Sequence, residues 1–163
     1  MEHLFKKAKR IDAPTFILLH GTGGDEYSLL PIAAFLNPDY AVLSIRGNVN
    51  EHGALRFFKR KAEGVYDVQD LQQRAIVLKE FIIEASEKYA FDLSKSIIIG
   101  FSNGANIAIE LLLKDQSIFN KAILMAPMYP VPISETHPLS HQKILFQWVS
   151  KILLCQSPKV NVW

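Results

Sequence analysis

Apolar residues along this chain fall into two alternating patterns. Unbroken runs recur at Thr15-Phe16-Ile17-Leu18-Leu19, Tyr40-Ala41-Val42-Leu43-Ser44-Ile45, Ser96-Ile97-Ile98-Ile99 and Lys121-Ala122-Ile123-Leu124-Met125. Runs this short, without polar alternation, predict strands buried on both faces. Between them the spacing widens to three and four: Val68, Leu71, Ala75, Leu78, Ile82, Ala85 and Tyr89 form one stripe, which predicts a single long helix. Asp67 is its predicted N-cap, and Asp70 adds negative charge to the first turn, where the helix dipole favours it. A second helical pattern covers residues 27–36. A third covers 105–113 and is apolar nearly all round, so a buried helix is expected. Strands alternating with helices predict an α/β fold, a parallel sheet with helices on both faces. Residues 46–66 are polar, glycine-punctuated and without clear periodicity. They predict a long loop, of a length that is more often functional than passive.

One junction between the two patterns carries candidate chemistry. Gly100-Phe101-Ser102-Asn103-Gly104 follows an isoleucine run and opens the apolar helix, so a serine sits at a sharp strand-to-helix turn between two glycines. Such a turn strains its central residue and presses its neighbours against adjacent backbone, which glycine tolerates because it lacks a Cβ. The hydroxyl is then held at a helix N-terminus, where main-chain N–H groups can stabilise an oxyanion. The block is a G-x-S-x-G nucleophile-elbow pattern in its expected strand–turn–helix context. A second glycine loop, His20-Gly21-Thr22-Gly23-Gly24-Asp25-Glu26, empties from the first strand. Both loops lie at the carboxyl ends of strands, where open α/β sheets bind ligands.

Composition narrows the class without changing it. The 163 residues are 49% hydrophobic and 21% charged, with a formal net charge of +2, which suits one domain, 1–163, with a sizeable core. That balance is too weak to argue for nucleic acid or an anionic membrane. Cys155 is the only cysteine, so no internal disulfide framework is expected and a reducing, cytoplasmic setting fits. The amino terminus carries no apolar core of signal-peptide length, and no stretch is apolar enough to span a bilayer. No His/Cys/carboxylate cluster has metal-ligand spacing, and the glycine spacing at residues 21–24 does not match a dinucleotide fingerprint. No metal or cofactor is therefore expected.

Taken jointly, the two glycine loops with Arg46-Gly47-Asn48, Glu51 and Gly53, Arg56-Phe57-Phe58 and Arg60, Glu63-Gly64 and Asp67, and Ala105-Asn106 resemble the bacterial carboxylesterase/phospholipase branch of the α/β-hydrolases. Some members of that branch are linked to quinone and hydroquinone stress. The resemblance covers residues 14–143, and residues 146–163 form an atypical tail. It implies a three-layer α/β-hydrolase fold with a mostly parallel sheet, and a serine hydrolase of carboxylic esters or thioesters acting on a small-molecule ester. Ser102 would be the nucleophile, and the backbone N–H groups of Thr22 and Asn103 the oxyanion hole. His20 and Gly21 would shape the loop carrying Thr22, as Gly100 and Gly104 shape the elbow. Arg56, Phe57 and Phe58 are candidate pocket residues. For the two phenylalanines plain core packing is an equal reading, and for Arg56, Lys59 and Arg60 a solvated or salt-bridged face is the stronger one.

The resemblance ends where a triad would be completed. A serine hydroxyl needs a histidine to take its proton and an acid to orient that histidine, in the chain order Ser…Asp/Glu…His. The family would supply the acid from a Gly-x-x-Asp-Pro loop after the strand begun by Lys143-Ile144-Leu145, yet residues 146–163 contain no aspartate, glutamate or histidine. After Ser102 the only acids are Glu110, Asp115 and Glu135, and the only histidines are His137 and His141. Glu110 and Asp115, on or just past the elbow helix, are expected to face away, and the others to be surface polarity on a proline-rich loop. In a frame starting at the third base of the Phe146 codon, Trp148-Val149 necessarily yields glycine. Permitted codons can continue it as Lys-Gln-Asp-Pro-Ile-Val-Pro-Lys-Ser-Glu. A frameshifted or truncated carboxyl terminus is the resulting expectation. It leaves the sheet incomplete at that edge, with association through the exposed strand. Two alternatives to the esterase stay open: an inactive fragment, and a small-molecule binding module.

Overall fold

The computed structural model describes residues 1–115, 117–131 and 142–147. Six strands form the main sheet: β1 (His3–Lys6), β2 (Thr15–Leu19), β3 (Ala41–Ile45), β8 (Ile97–Phe101), β9 (Lys121–Met125) and β10 (Lys143–Gln147). Their order is β1-β3-β2-β8-β9-β10. Every pairing is parallel except β1 with β3, which is antiparallel. This is the mostly parallel sheet that the resemblance implies.

Side-chain alternation along the central strands builds the layers. In β2, Ile17 and Leu19 join a large core with Leu71, Leu78 and Ile82 of α2 (Val68–Tyr89) and with Ile107, Leu111 and Leu112 of α3 (Asn103–Lys114). Phe16 and Leu18 point to the other face, where Leu29 and Ala33 of α1 (Leu30–Leu36) and its entry meet Val42 and Ile99. Both faces of β2 are buried, as a continuous apolar run requires. The predicted cap of α2 is present: the Asp67 side chain accepts a hydrogen bond from the Asp70 N–H at 3.1 Å.

Three parts of the fold differ from expectation. β1 lies in an amino-terminal segment whose four residues are too few and too mixed to signal a strand. Residues 46–66 are not a plain loop but two hairpins. One joins β4 (Val49–Glu51) to β5 (Ala54–Arg56), the other β6 (Arg60–Ala62) to β7 (Val65–Tyr66). Strands of two and three residues are shorter than any hydrophobic period can reveal. Finally, α3 starts at Asn103, directly after the serine, and α1 is shorter than its pattern. Glu135, His137, His141 and the tail from residue 148, with its expected frameshift, lie outside the described residues.

Candidate active site

Backbone crowding explains the elbow. A Cβ on Gly104 would lie 2.0 Å from the Leu19 carbonyl oxygen and 2.5 Å from that of His20. On Gly100 it would lie 2.7 Å from the Ala105 Cα. Only glycine lets α3 start this close to β2. Between them Ser102 adopts φ 49° and ψ −109°, a conformation that L residues avoid, and its side chain is half-buried. The strain is held from both sides, for the Ser102 N–H donates to the Met125 carbonyl at 2.9 Å and the Asn106 N–H donates to the Ser102 carbonyl at 3.0 Å.

Two asparagines in the first turn of α3 tie down flanking loops. The Asn103 Oδ1 accepts from the Phe57 N–H at 2.7 Å, and the Asn106 Oδ1 accepts from the Met128 N–H at 2.8 Å. Both side chains are buried, 2% and 0% exposed, so each replaces a hydrogen bond that water could not reach. The family motif contained both residues, but their bonds depend on which loops pack there.

The second glycine loop is organised by His20, 1% exposed. Its Nε2 accepts from the Gly47 N–H at 2.9 Å, which requires the proton on Nδ1, and Nδ1 donates to the Gly21 carbonyl at 2.7 Å. Burial holds this imidazole below its usual pKa, against the opposing pull of the Gly21 carbonyl, Asp25 and Glu26. It is therefore a neutral clamp with both nitrogens engaged. The Gly21 carbonyl also accepts from the Gly24 N–H at 3.0 Å. Carbonyl and following N–H point in opposite directions across a trans peptide, so fixing the Gly21 oxygen fixes the Thr22 N–H. Among the described residues neither the Thr22 nor the Asn103 main-chain N–H donates a hydrogen bond.

An ion-pair network braces the loop from behind. The Arg46 guanidinium donates to both carboxylate oxygens of Glu26, at 2.5 and 2.6 Å, and to Glu2 at 2.6 Å. That pairing lowers the Glu26 carboxyl below its ordinary range. Arg56 is 2% exposed and donates from one terminal nitrogen to the Thr22 Oγ1 at 2.7 Å and from Nε to the Phe58 carbonyl at 3.1 Å. Glu51 lies 3.4 Å from its Nε and pairs more closely, at 2.7 Å, with Arg60.

A cavity of about 370 Å³ opens beside the loop, lined by Gly21, Thr22, Leu29, Ile32, Phe101 and Met125 among others. Arg56, Phe57 and Phe58 do not line it. The two phenylalanines are 2% and 0% exposed in the large core, where Phe57 packs on the His20 ring at 4.8 Å between centroids. Arg56 is likewise buried, salt-bridged to Glu51 rather than solvated, and it holds the loop through Thr22. Leu29, Ile32 and Met125 were not singled out in the sequence, because a core residue and a pocket wall look alike there. Glu110 is also buried, 2% exposed, and accepts a hydrogen bond from the Tyr129 hydroxyl. Burial and that carboxylate raise the phenol well above its ordinary value. Among the described histidines none hydrogen-bonds Ser102: His3 binds Met1 and Tyr89, and His20 binds its own loop and Gly47.

No family model matches the chain. Over 131 residues, 80% of its length, the chain is 45% identical to "Putative hydrolase MhqD" of Bacillus subtilis (strain 168), and it spans 64% of that protein. It superposes on the carboxylesterase of Bacillus cereus with a TM-score of 0.88 at 41% identity, covering 95% of this chain and 73% of the other. It also superposes on YahD, solved with malic acid, with a TM-score of 0.84 at 34% identity, covering 90% and 73%. Elbow, glycine loop, sheet order and these likenesses agree, and the chain belongs to the bacterial carboxylesterase branch of the α/β-hydrolases.

Proposed function

We propose that the protein is a serine hydrolase of carboxylic esters or thioesters, of the carboxylesterase/phospholipase type, working through an acyl-enzyme on Ser102. The observation that carries this reading is the strained, half-buried Ser102 at the head of α3. A hydroxyl in that position reaches an ester carbonyl, and the Thr22 and Asn103 N–H groups, free among the described residues, receive the charge that develops on the carbonyl oxygen. The apolar cavity beside Thr22 suits the acyl or alcohol part of a small ester. Collapse of the tetrahedral intermediate expels the alcohol and leaves the acyl-enzyme, which water hydrolyses. A fluorophosphonate probe tests the reading directly. Rapid labelling that disappears in Ser102→Ala is expected; an unlabelled wild-type chain would overturn it.

A second reading, a fold that binds a small molecule without chemistry or an inactive fragment, is favoured by one observation. No described histidine is placed to take the Ser102 proton. An oxyanion hole without a triad retains only a small residual rate over water. The two readings separate on the same probe. Homo-oligomerisation through the sheet edge belongs to the proposal too, since β10 is the outermost strand on its side among the described residues. Concentration-dependent sedimentation is the expected result.

A further inference from the structure

One cavity of the molecule lies away from the elbow. It has about 510 Å³ and lies under the opposite end of the sheet, where Thr15 and Ala41 begin β2 and β3. A five-residue strand separates that end from the one carrying the glycine loops, roughly 16 Å at 3.3 Å per residue. The cavity is therefore remote from Ser102, and its volume falls within the range of small-molecule sites.

Its walls are of two kinds. Phe5, Tyr89 and Phe91 form an aromatic side: Phe5 stacks on Tyr89 with centroids 4.1 Å apart and planes 7° from parallel, and Phe91 stands 6.1 Å away at 16°. The lining also holds four cations, Lys7, Lys9, Arg10 and Lys95, and two carboxylates, Asp12 and Asp92. Lys95 reaches both carboxylates loosely, at 3.6 and 3.7 Å, and Lys9 is paired with Asp39 at 3.0 Å. Lys7 and Arg10 make no ion pair among the described residues, and with Asp39 counted the cations here keep a small positive excess. Thr15, 1% exposed at the start of β2, is also among the lining residues.

We infer that this cavity is a second binding site, for a small aromatic anion such as an aryl carboxylate. The ring packs on the Phe5–Tyr89–Phe91 wall, and the anionic group meets Lys7 and Arg10. Nothing in the inference depends on Ser102 being a nucleophile.

Calorimetric titration of the full chain with naphthoate, and with neutral naphthylmethanol as its uncharged counterpart, tests it. Naphthoate is expected to bind, about tenfold tighter than the alcohol, the ratio a charge-assisted hydrogen bond supplies. Arg10→Glu and Lys7→Glu, at exposed positions that leave the fold intact by circular dichroism, are each expected to weaken naphthoate about tenfold. Ser102→Ala should leave the affinity unchanged. Naphthoate should shift the ring protons of Phe5, Tyr89 and Phe91 and leave those of Phe101 unmoved. No binding, equal binding of the alcohol, equal binding by both charge-reversal variants, or loss of binding in Ser102→Ala would each overturn the inference.

Discussion

Ser102 and His20 show how single residues are specialised by what surrounds them. Ser102 is held at a positive φ by glycines whose every alternative collides with backbone. Gly104→Ala, which sets a Cβ 2.0 Å from the Leu19 oxygen, is expected to cost several kcal/mol, beyond the roughly 1–3 kcal/mol typical of overpacking because rigid backbone cannot move aside. Thermal denaturation measures it. His20 is a neutral clamp, and its depressed pKa fixes the sign of a pH effect. Below the unfolded value of about 6.5 the unfolded chain takes up a proton that the folded chain refuses. Stability is therefore full above that value and falls as the pH drops toward the folded pKa, by at most about 1.4 kcal/mol per pH unit. Urea unfolding of the wild type and His20→Gln between neutral and mildly acid pH should show a shallower slope in the variant. An equal slope would mean that the imidazole charges freely in place. The serine and its glycines were legible as a motif. The tautomer of His20 was not, since it is set by Gly47, a residue on a different segment.

Among the elements, the strand–turn–helix block was readable because each part carries its own signal: an isoleucine run, a glycine-flanked turn and an apolar helix. What the helix does beyond packing was not. Its first turn uses Asn103 and Asn106 to hold the 57 and 128 loops. Asn106→Leu, which fits the volume but orphans the Met128 N–H, is expected to lower stability by about 1–3 kcal/mol, the cost of an unsatisfied buried donor. Chemical denaturation gives the value. The hairpins β4–β5 and β6–β7 are not legible in the sequence for a related reason. Strands of two or three residues have no period, and they form because Arg56 and Glu51 join them to the loop at Thr22 and to Arg60. Arg56→Leu leaves the Thr22 hydroxyl without that donor. It should slow fluorophosphonate labelling of Ser102 by about tenfold, if the loop is as mobile as one lost charged hydrogen bond implies. Unaltered labelling would show that Glu26 and Arg46 suffice to hold the loop.

At the level of the whole molecule, the sheet separates two regions of different chemistry. The carboxyl end of its strands holds the elbow, the glycine loop and an apolar cavity. The amino end holds a basic and aromatic cavity lined by none of the elbow or glycine-loop residues. Because the two cavities share one sheet but no lining residue, occupancy of one should not displace a ligand from the other. Fluorophosphonate-labelled protein is expected to bind naphthoate with the affinity of the unlabelled chain. Competition between the two would place naphthoate at the elbow instead. The amino-terminal strand β1 links these regions: its backbone pairs with β3, and Glu2 before it meets Arg46 behind the glycine loop.

Amino-acid order alone was enough to establish the alternation of strands and helices, the parallel sheet, the serine at its bend and the loop that faces it. Those features depend on local periodicity and on steric rules that act within a few residues. Tertiary structure decided which side chains line a pocket and which fill the core, as Phe57 and Phe58 illustrate against Leu29 and Met125. It also decided where the buried arginine spends its hydrogen bonds and that aromatic and basic residues far apart in the chain, from Phe5 and Lys7 to Tyr89 and Phe91, share one cavity. Contacts of that kind join residues far apart in the chain, and no period or motif records them.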